Sequence, residues 1–200
     1  MAIIVVGGSS RGVGKTPLVC GLIAALPEFR WTAVKITTHD HGQPKPIWEE
    51  TTAGKGTDTA RYLAAGAVRA FLATPPMRNH PPTRDLPPML DELWPHFGPG
   101  TNLIFESNSI LEHLQPNLCL LVQGASDHDR RKPSFTAALR HADALVAHTP
   151  LNRVISDGFC PRGQESSSVA KPVFNLTALE HISPEMLFWL RDRLHGRALL

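Results

Sequence analysis

A lysine and a threonine directly after a glycine, where an apolar run ends, are residue types suited to holding phosphate. In this chain they close the stretch Gly7-Gly8-Ser9-Ser10-Arg11-Gly12-Val13-Gly14-Lys15-Thr16, which follows Ala2-Ile3-Ile4-Val5-Val6. Glycines let successive backbone N–H groups curl around an anion, and a helix beginning there adds the positive end of its dipole. In that arrangement the Lys15 ammonium reaches the β- and γ-phosphates and the Thr16 hydroxyl sits on Mg²⁺. Ser10, Arg11, Gly12, Val13, Gly14, Lys15, Thr16 and Pro17 are the candidate residues for binding a nucleoside triphosphate, GTP or ATP. In the strict G-x-x-x-x-G-K-[ST] spacing the first glycine would fall at position 9, where this chain has Ser9, with Gly8 one residue earlier. The loop is thus of related length and not the regular one. Pro17 falls in the first helical turn, where a missing N–H costs little.

Candidate acids stand further along. Glu106 ends the apolar run Leu103-Ile104-Phe105 and precedes Ser107-Asn108-Ser109. A carboxylate there can hold Mg²⁺, directly or through water, or orient an attacking group; the plainer reading is an exposed loop acid. Asp58 opens a helix, so it serves either the site or the helix dipole. With Lys15 and Glu106 it completes the candidate catalytic set, and Thr16 and Glu106 are the candidate metal ligands. Asp127 and Asp129 follow another apolar run and read as site acids or as a solvated loop. His39-Asp40-His41 suits a substrate or phosphate contact better than zinc, since no matching His or Cys pair accompanies it. Lys35, inside a strand-like run, either points into the site or flanks it, and Arg11 either reaches an outer phosphate or is exposed. Asn152 and Asn175 are the weakly signalled candidates for contacting a base.

Elements that would position these groups follow from the pattern. Strand-like runs are expected at 2–6, 31–38, 68–73, 103–105, 118–122, 144–147 and 172–175. Helices are expected after Thr16, from Thr57 to a stop at Gly66, at 89–94, at 135–141 and from Ser183 onward. Residues 42–56 read as a mobile surface loop, and the proline-rich 75–88 as a linker within the fold. Strands alternating with helices imply an α/β fold, a mostly parallel sheet of about seven strands with helices on both faces. Ligands of such sheets gather at the carboxyl ends of the strands.

The totals agree. Two hundred residues suit a single domain spanning 1–200, and 42% hydrophobic residues with net charge +2 indicate neither disorder nor bulk nucleic-acid binding. No apolar run approaches the roughly 18 residues of a membrane span, and the chain enters its first strand without a basic leader. A cytoplasmic protein is expected. Cys20 and Cys119 read as small buried hydrophobes and Cys160 as a loop cysteine.

The loop, then Val34-Lys35-Ile36-Thr37-Thr38-His39-Asp40-His41, then Gly56-Thr57-Asp58-Thr59-Ala60-Arg61-Tyr62-Leu63-Ala64-Ala65-Gly66-Ala67, with Ile104-Phe105-Glu106-Ser107, resemble the molybdopterin-guanine dinucleotide biosynthesis protein B family. The resemblance covers the first third of the chain plus Glu106. It departs at Ser107, where that family has glycine, at Thr57, where it has lysine, and across 42–55. It implies a P-loop NTPase fold and a GTP-binding adaptor with weak GTPase activity that assists molybdenum cofactor maturation. The wider class includes dethiobiotin synthetase, whose Gly-x-x-x-x-Val-Gly-Lys-Thr loop Gly8 through Thr16 match. Gly14-Lys15-Thr16-Pro17 is also similar to the loop of lipid A 4′-kinases. Three functions stay open: an NTPase working with a molybdenum-cofactor enzyme as partner, an ATP-dependent small-molecule kinase or ligase, and a nucleotide-switched module. The oligomeric state is open too, a homodimer included.

Overall fold

The computed structural model describes residues 1–37, 45–79, 82–84, 86–124, 133–148 and 171–196. Its centre is β1 (Ile3–Gly8), buried along its whole length. Ile4 and Val6 face one hydrophobic cluster while Ile3 and Val5 face another. Both faces of the strand are thus covered, which explains why it reads as an unbroken apolar run.

Around β1 run β2 (Thr32–Ile36), β3 (Ile47–Glu50), β4 (Arg69–Ala73), β7 (Leu103–Glu106), β8 (Leu118–Gln123), β9 (Ala144–Ala147) and β10 (Val173–Asn175), while β5 (Met77–Asn79) and β6 (Pro82–Arg84) pair separately. The sheet order is β10-β9-β8-β1-β7-β2-β4-β3. All its pairings are parallel except β3 with β4. The helices α1 (Lys15–Ala25), α2 (Asp58–Ala64) and α5 (Pro184–Gly196) lie on one face. On the other face lie α3 (Leu86–Leu93) and α4 (Pro133–Ala138). The expected α/β architecture holds, and each of the expected strands is present.

Two expectations need correction. The sheet has eight strands, not about seven, because β3 forms within 42–56, read from sequence as a loop. Ile47-Trp48-Glu49-Glu50 lacks an apolar run because it is an antiparallel edge strand that buries little. It is held by Arg69, whose Nε and Nη2 donate to Glu49 at 2.6 and 2.8 Å. The expected linker 75–88 also carries structure, the antiparallel β5–β6 pair and the start of α3. Prolines suit a two-stranded ribbon, which leaves edge positions with no ladder partner to supply.

The expected helix boundaries around α2 are confirmed. The Thr57 side chain accepts from the Ala60 N–H at 3.0 Å, and Gly66 ends the helix at a φ of +106°. Glu50 on β3 accepts from the Thr57 and Thr59 hydroxyls at 3.0 and 3.3 Å, fastening the edge strand to the start of this helix.

Candidate functional site

At the carboxyl end of β1 the chain leaves the sheet through residues 9–14 and re-enters order as α1. Two glycines make the loop. Gly12 and Gly14 have φ of +76° and +103°, conformations that only glycine adopts at little cost. A Cβ at Gly12 would meet nothing within 4 Å, so the loop is open on that side. The Gly14 position is closed from beneath, since a Cβ there would lie 2.1 Å from Leu179 Cδ1. At its root the loop is clasped by Asn108, whose side chain accepts from Gly8 N–H at 2.8 Å and donates to Gly8 O at 3.0 Å. Ser9 N–H donates to Val122 O at 2.9 Å, and the Ser9 hydroxyl accepts from Gly124 N–H at 3.3 Å. The loop thus hangs between β8 and the turn that follows β7. Lys15 Nζ donates to Ser10 O at 3.0 Å, bending its ammonium back over the loop.

Thr16, in the first turn of α1, donates from its hydroxyl to Glu106 Oε2 at 2.7 Å. The register explains why this acid is within reach. Val6 of β1, Glu106 of β7 and Lys35 of β2 stand abreast on neighbouring strands. Strand alternation puts Glu106 and Lys35 on the face carrying α1 and α2, since the neighbouring Phe105 and Val34 belong to the other cluster. Lys35 Nζ then lies 3.0 Å from Glu106 Oε1 and also pairs with Asp58 at the start of α2. Arg61, one turn on, is 3.8 Å from Asp58. From the buried face of α2 the Tyr62 hydroxyl donates to Glu106 Oε2. Glu106, 4% exposed, is therefore a buried carboxylate held by three donors from three elements.

The electrostatics follow from this geometry. Burial works against the charge of Lys35, but the carboxylates of Glu106 and Asp58 outweigh it and raise the pKa above its ordinary value. Burial likewise works against the charge of Asp58, and its bond to Lys35 prevails and lowers the pKa. Burial, reinforced by the Glu106 charge, pushes Tyr62 well above 10.0 and keeps its phenol protonated. The site holds a fixed ammonium between fixed carboxylates.

The structure therefore gathers Lys15, Thr16, Glu106 and Asp58 at one end of the sheet. It resolves Lys35 inward and leaves Arg11 exposed in the loop. Asn175 is exposed at the carboxyl end of β10. His39, Asp40, His41, Asp127, Asp129, Asn152 and Cys160 lie outside the described residues. Cys20 and Cys119 are thiols that burial pushes up to about 11 and about 12, in keeping with inert packing roles. Two contributors escape a reading of motifs. Tyr62 looks like one more buried helix residue, and Asn108 like a loop polar after a strand. Gln123 closes β8 in a buried position with its side-chain nitrogen unpartnered among the described residues. Among the described residues no cluster of three or more His, Cys, Asp or Glu forms a metal cage. No described helix is long and apolar enough to cross a membrane.

The donor set does suit a hard cation bound jointly with phosphate. A hydroxyl and a carboxylate are oxygen ligands of the kind Mg²⁺ takes when substrate phosphates and waters complete its shell.

No family model matches the chain, and neither does any curated protein. Among solved structures, LpxK from Aquifex aeolicus, an "apo" form in complex with ATP, matches with a TM-score of 0.52. The identity is 18%, and the match covers 86% of this chain but 53% of that one, so this chain spans about half its length. A MobB protein homolog from Bacillus stearothermophilus aligns over 98% of this chain and 99% of its own, with a TM-score of 0.47 and 16% identity. The likeness to LpxK is one of fold. The chain shares with it an α/β fold, a mostly parallel sheet covered by helices on both faces.

Proposed function

We propose that the chain is a single-domain, Mg²⁺-dependent nucleoside triphosphate-binding protein, favouring GTP, that hydrolyses slowly and serves as an accessory factor in molybdopterin-guanine dinucleotide biosynthesis. The observation that carries the nucleotide reading is the Thr16–Glu106 contact at the foot of a glycine loop open at Gly12. GTP and the molybdenum cofactor enter through the resemblance of the loop, the β2 segment and the α2 segment to that biosynthetic family. The partner in this reading is a molybdenum-cofactor enzyme.

In this reading the backbone N–H groups from Arg11 to Lys15 bind the phosphates, and Lys15 leaves Ser10 O to meet the outer ones. Thr16 and Glu106 are the residues that would hold Mg²⁺, which would supply charge neutralisation at the phosphates. Catalysis is then mostly positioning and charge stabilisation. Asp58 contributes by fixing Lys35 beside Glu106. With its pKa lowered by Lys35, Asp58 is a weak acceptor for a substrate proton near neutrality. The ATP-dependent kinase or ligase reading draws on one other observation, proline directly after Gly14-Lys15-Thr16.

Calorimetric titration of GTP and ATP with Mg²⁺ tests the proposal. Lys15→Ala should lose about 1.5–3 kcal/mol of nucleotide binding, the worth of hydrogen bonds to charged groups. Glu106→Gln should keep most binding and lower turnover. A folded Lys15→Ala protein with unchanged affinity overturns the nucleotide site. Preference for ATP, with turnover of one metabolite, replaces the accessory role with the kinase or ligase.

A further inference from the structure

We infer that Tyr62 is a positioning residue that keeps the Glu106 carboxylate in place when Thr16 is drawn onto the bound metal-nucleotide. The inference rests on the proposed role of Glu106 at the metal and adds the group that makes this role possible. Glu106 Oε2 receives two hydroxyls, those of Thr16 and Tyr62, while Oε1 receives Lys35. A Thr16 hydroxyl that lends a lone pair to a cation keeps its proton for Oε2, but its position is then set by the cation. Lys35 alone would leave the carboxylate free to rotate about its single salt bridge, because Lys35 also answers to Asp58. Tyr62 supplies the second fixed point. It is fully buried and rides on a helix whose start is capped by Thr57 and tied to β3 through Glu50. A phenylalanine would fill the same apolar volume, so the hydroxyl is the part that packing does not explain.

The geometry separates this role from plain packing. A packing residue affects nucleotide binding with and without metal alike, whereas Tyr62 should matter only where Glu106 does. GTP binding is measured by calorimetry over a series of Mg²⁺ concentrations for the wild type, Tyr62→Phe, Glu106→Gln and the double variant. Glu106→Gln should raise the Mg²⁺ concentration needed for half-maximal binding. Tyr62→Phe should raise it about tenfold, the factor set by one hydrogen bond to a charged group, with metal-free affinity unchanged. The double variant should match Glu106→Gln, because Tyr62 acts through that residue. If Glu106→Gln shifts the Mg²⁺ dependence and Tyr62→Phe does not, the inference is overturned while the metal reading stands. If Glu106→Gln itself causes no shift, both fall.

Should Tyr62→Phe fail to fold, a spectroscopic readout decides. Tyr62 is the sole tyrosine of the chain, so the tyrosine doublet in its Raman spectrum reports one hydroxyl. The doublet should show a strong donor in the wild type, with and without Mg²⁺-GTP, and a weakened one in Glu106→Gln. Loss of the donor signature on adding Mg²⁺-GTP overturns the inference.

Discussion

Replacing Lys35 by Met removes one ammonium from between two carboxylates while keeping an apolar stem of similar reach. The Lys35–Glu106 pair is 3.0 Å long, with side chains 17% and 4% exposed. Removing one partner of a buried pair costs about 3–5 kcal/mol, chiefly by stranding the other charge. Glu106 is not wholly stranded, since Thr16 and Tyr62 still donate to it, which places the loss near the lower end. Asp58, 35% exposed, recovers water and retains Arg61, so its share is at most about 1 kcal/mol once solvent screening is counted. The expected loss is about 3 kcal/mol, which for a domain of this size lowers Tm by roughly 6–12 °C. Urea unfolding at neutral pH measures it. A double-mutant cycle with Glu106→Gln should show a coupling of at least about 1 kcal/mol, because neutralising the acid relieves what the first substitution strands. A Lys35→Met protein within about 0.5 kcal/mol of wild type, with additive effects in the cycle, would refute the buried-pair argument.

Stability should also follow pH through the same pair. Asp58, lowered from 3.8, contributes above that value and loses the contribution as pH falls through its folded pKa. Lys35, raised from 10.5, contributes fully below that value and loses it as pH rises through its folded pKa. Urea midpoints should therefore be level in between and fall at both ends, with the acid limb flattened in Asp58→Asn; an unflattened limb contradicts the pairing. Gly21→Ala should destabilise by about 1–3 kcal/mol in thermal unfolding, because its Cβ would lie 2.7 Å from Glu180 O, a backbone atom that cannot swing aside. Gly54→Ala, which meets nothing within 4 Å, should leave Tm near wild type, and equal losses in the two would contradict the close approach.

What the sequence discloses here is local, and what it hides is mostly pairing at long range. The run from Ile3 through Thr16 announces strand, loop and helix because each signal lies beside the next. Glu106 stood out as an acid ending an apolar strand. Lys35 could not be oriented, because its direction depends on the register that sets it beside Glu106 across β2 and β7. Tyr62 was hidden for a similar reason. Helical periodicity marks it as buried, but its hydroxyl partner is 44 residues away. The available signal was chemical, a sole tyrosine on the buried face of a helix begun by a site acid. Asn108 clasps Gly8 across 100 residues and carries no local signature at all. The edge strand β3 was missed because one paired side and partial exposure leave no alternation to read.

The close seat of α1 on the segment after β10 bears on the order in which the protein is made. Leu179 sits beneath Gly14, and the Glu180 backbone lies against Gly21, so the helix that ends the glycine loop rests on residues synthesised long after it. Leu176, Leu179 and Met186 also belong to the cluster that covers α1. The loop of a nascent chain lacks its floor until this later segment has left the ribosome and docked. The bend at Gly14 is therefore set only after residues 176–186 have been made.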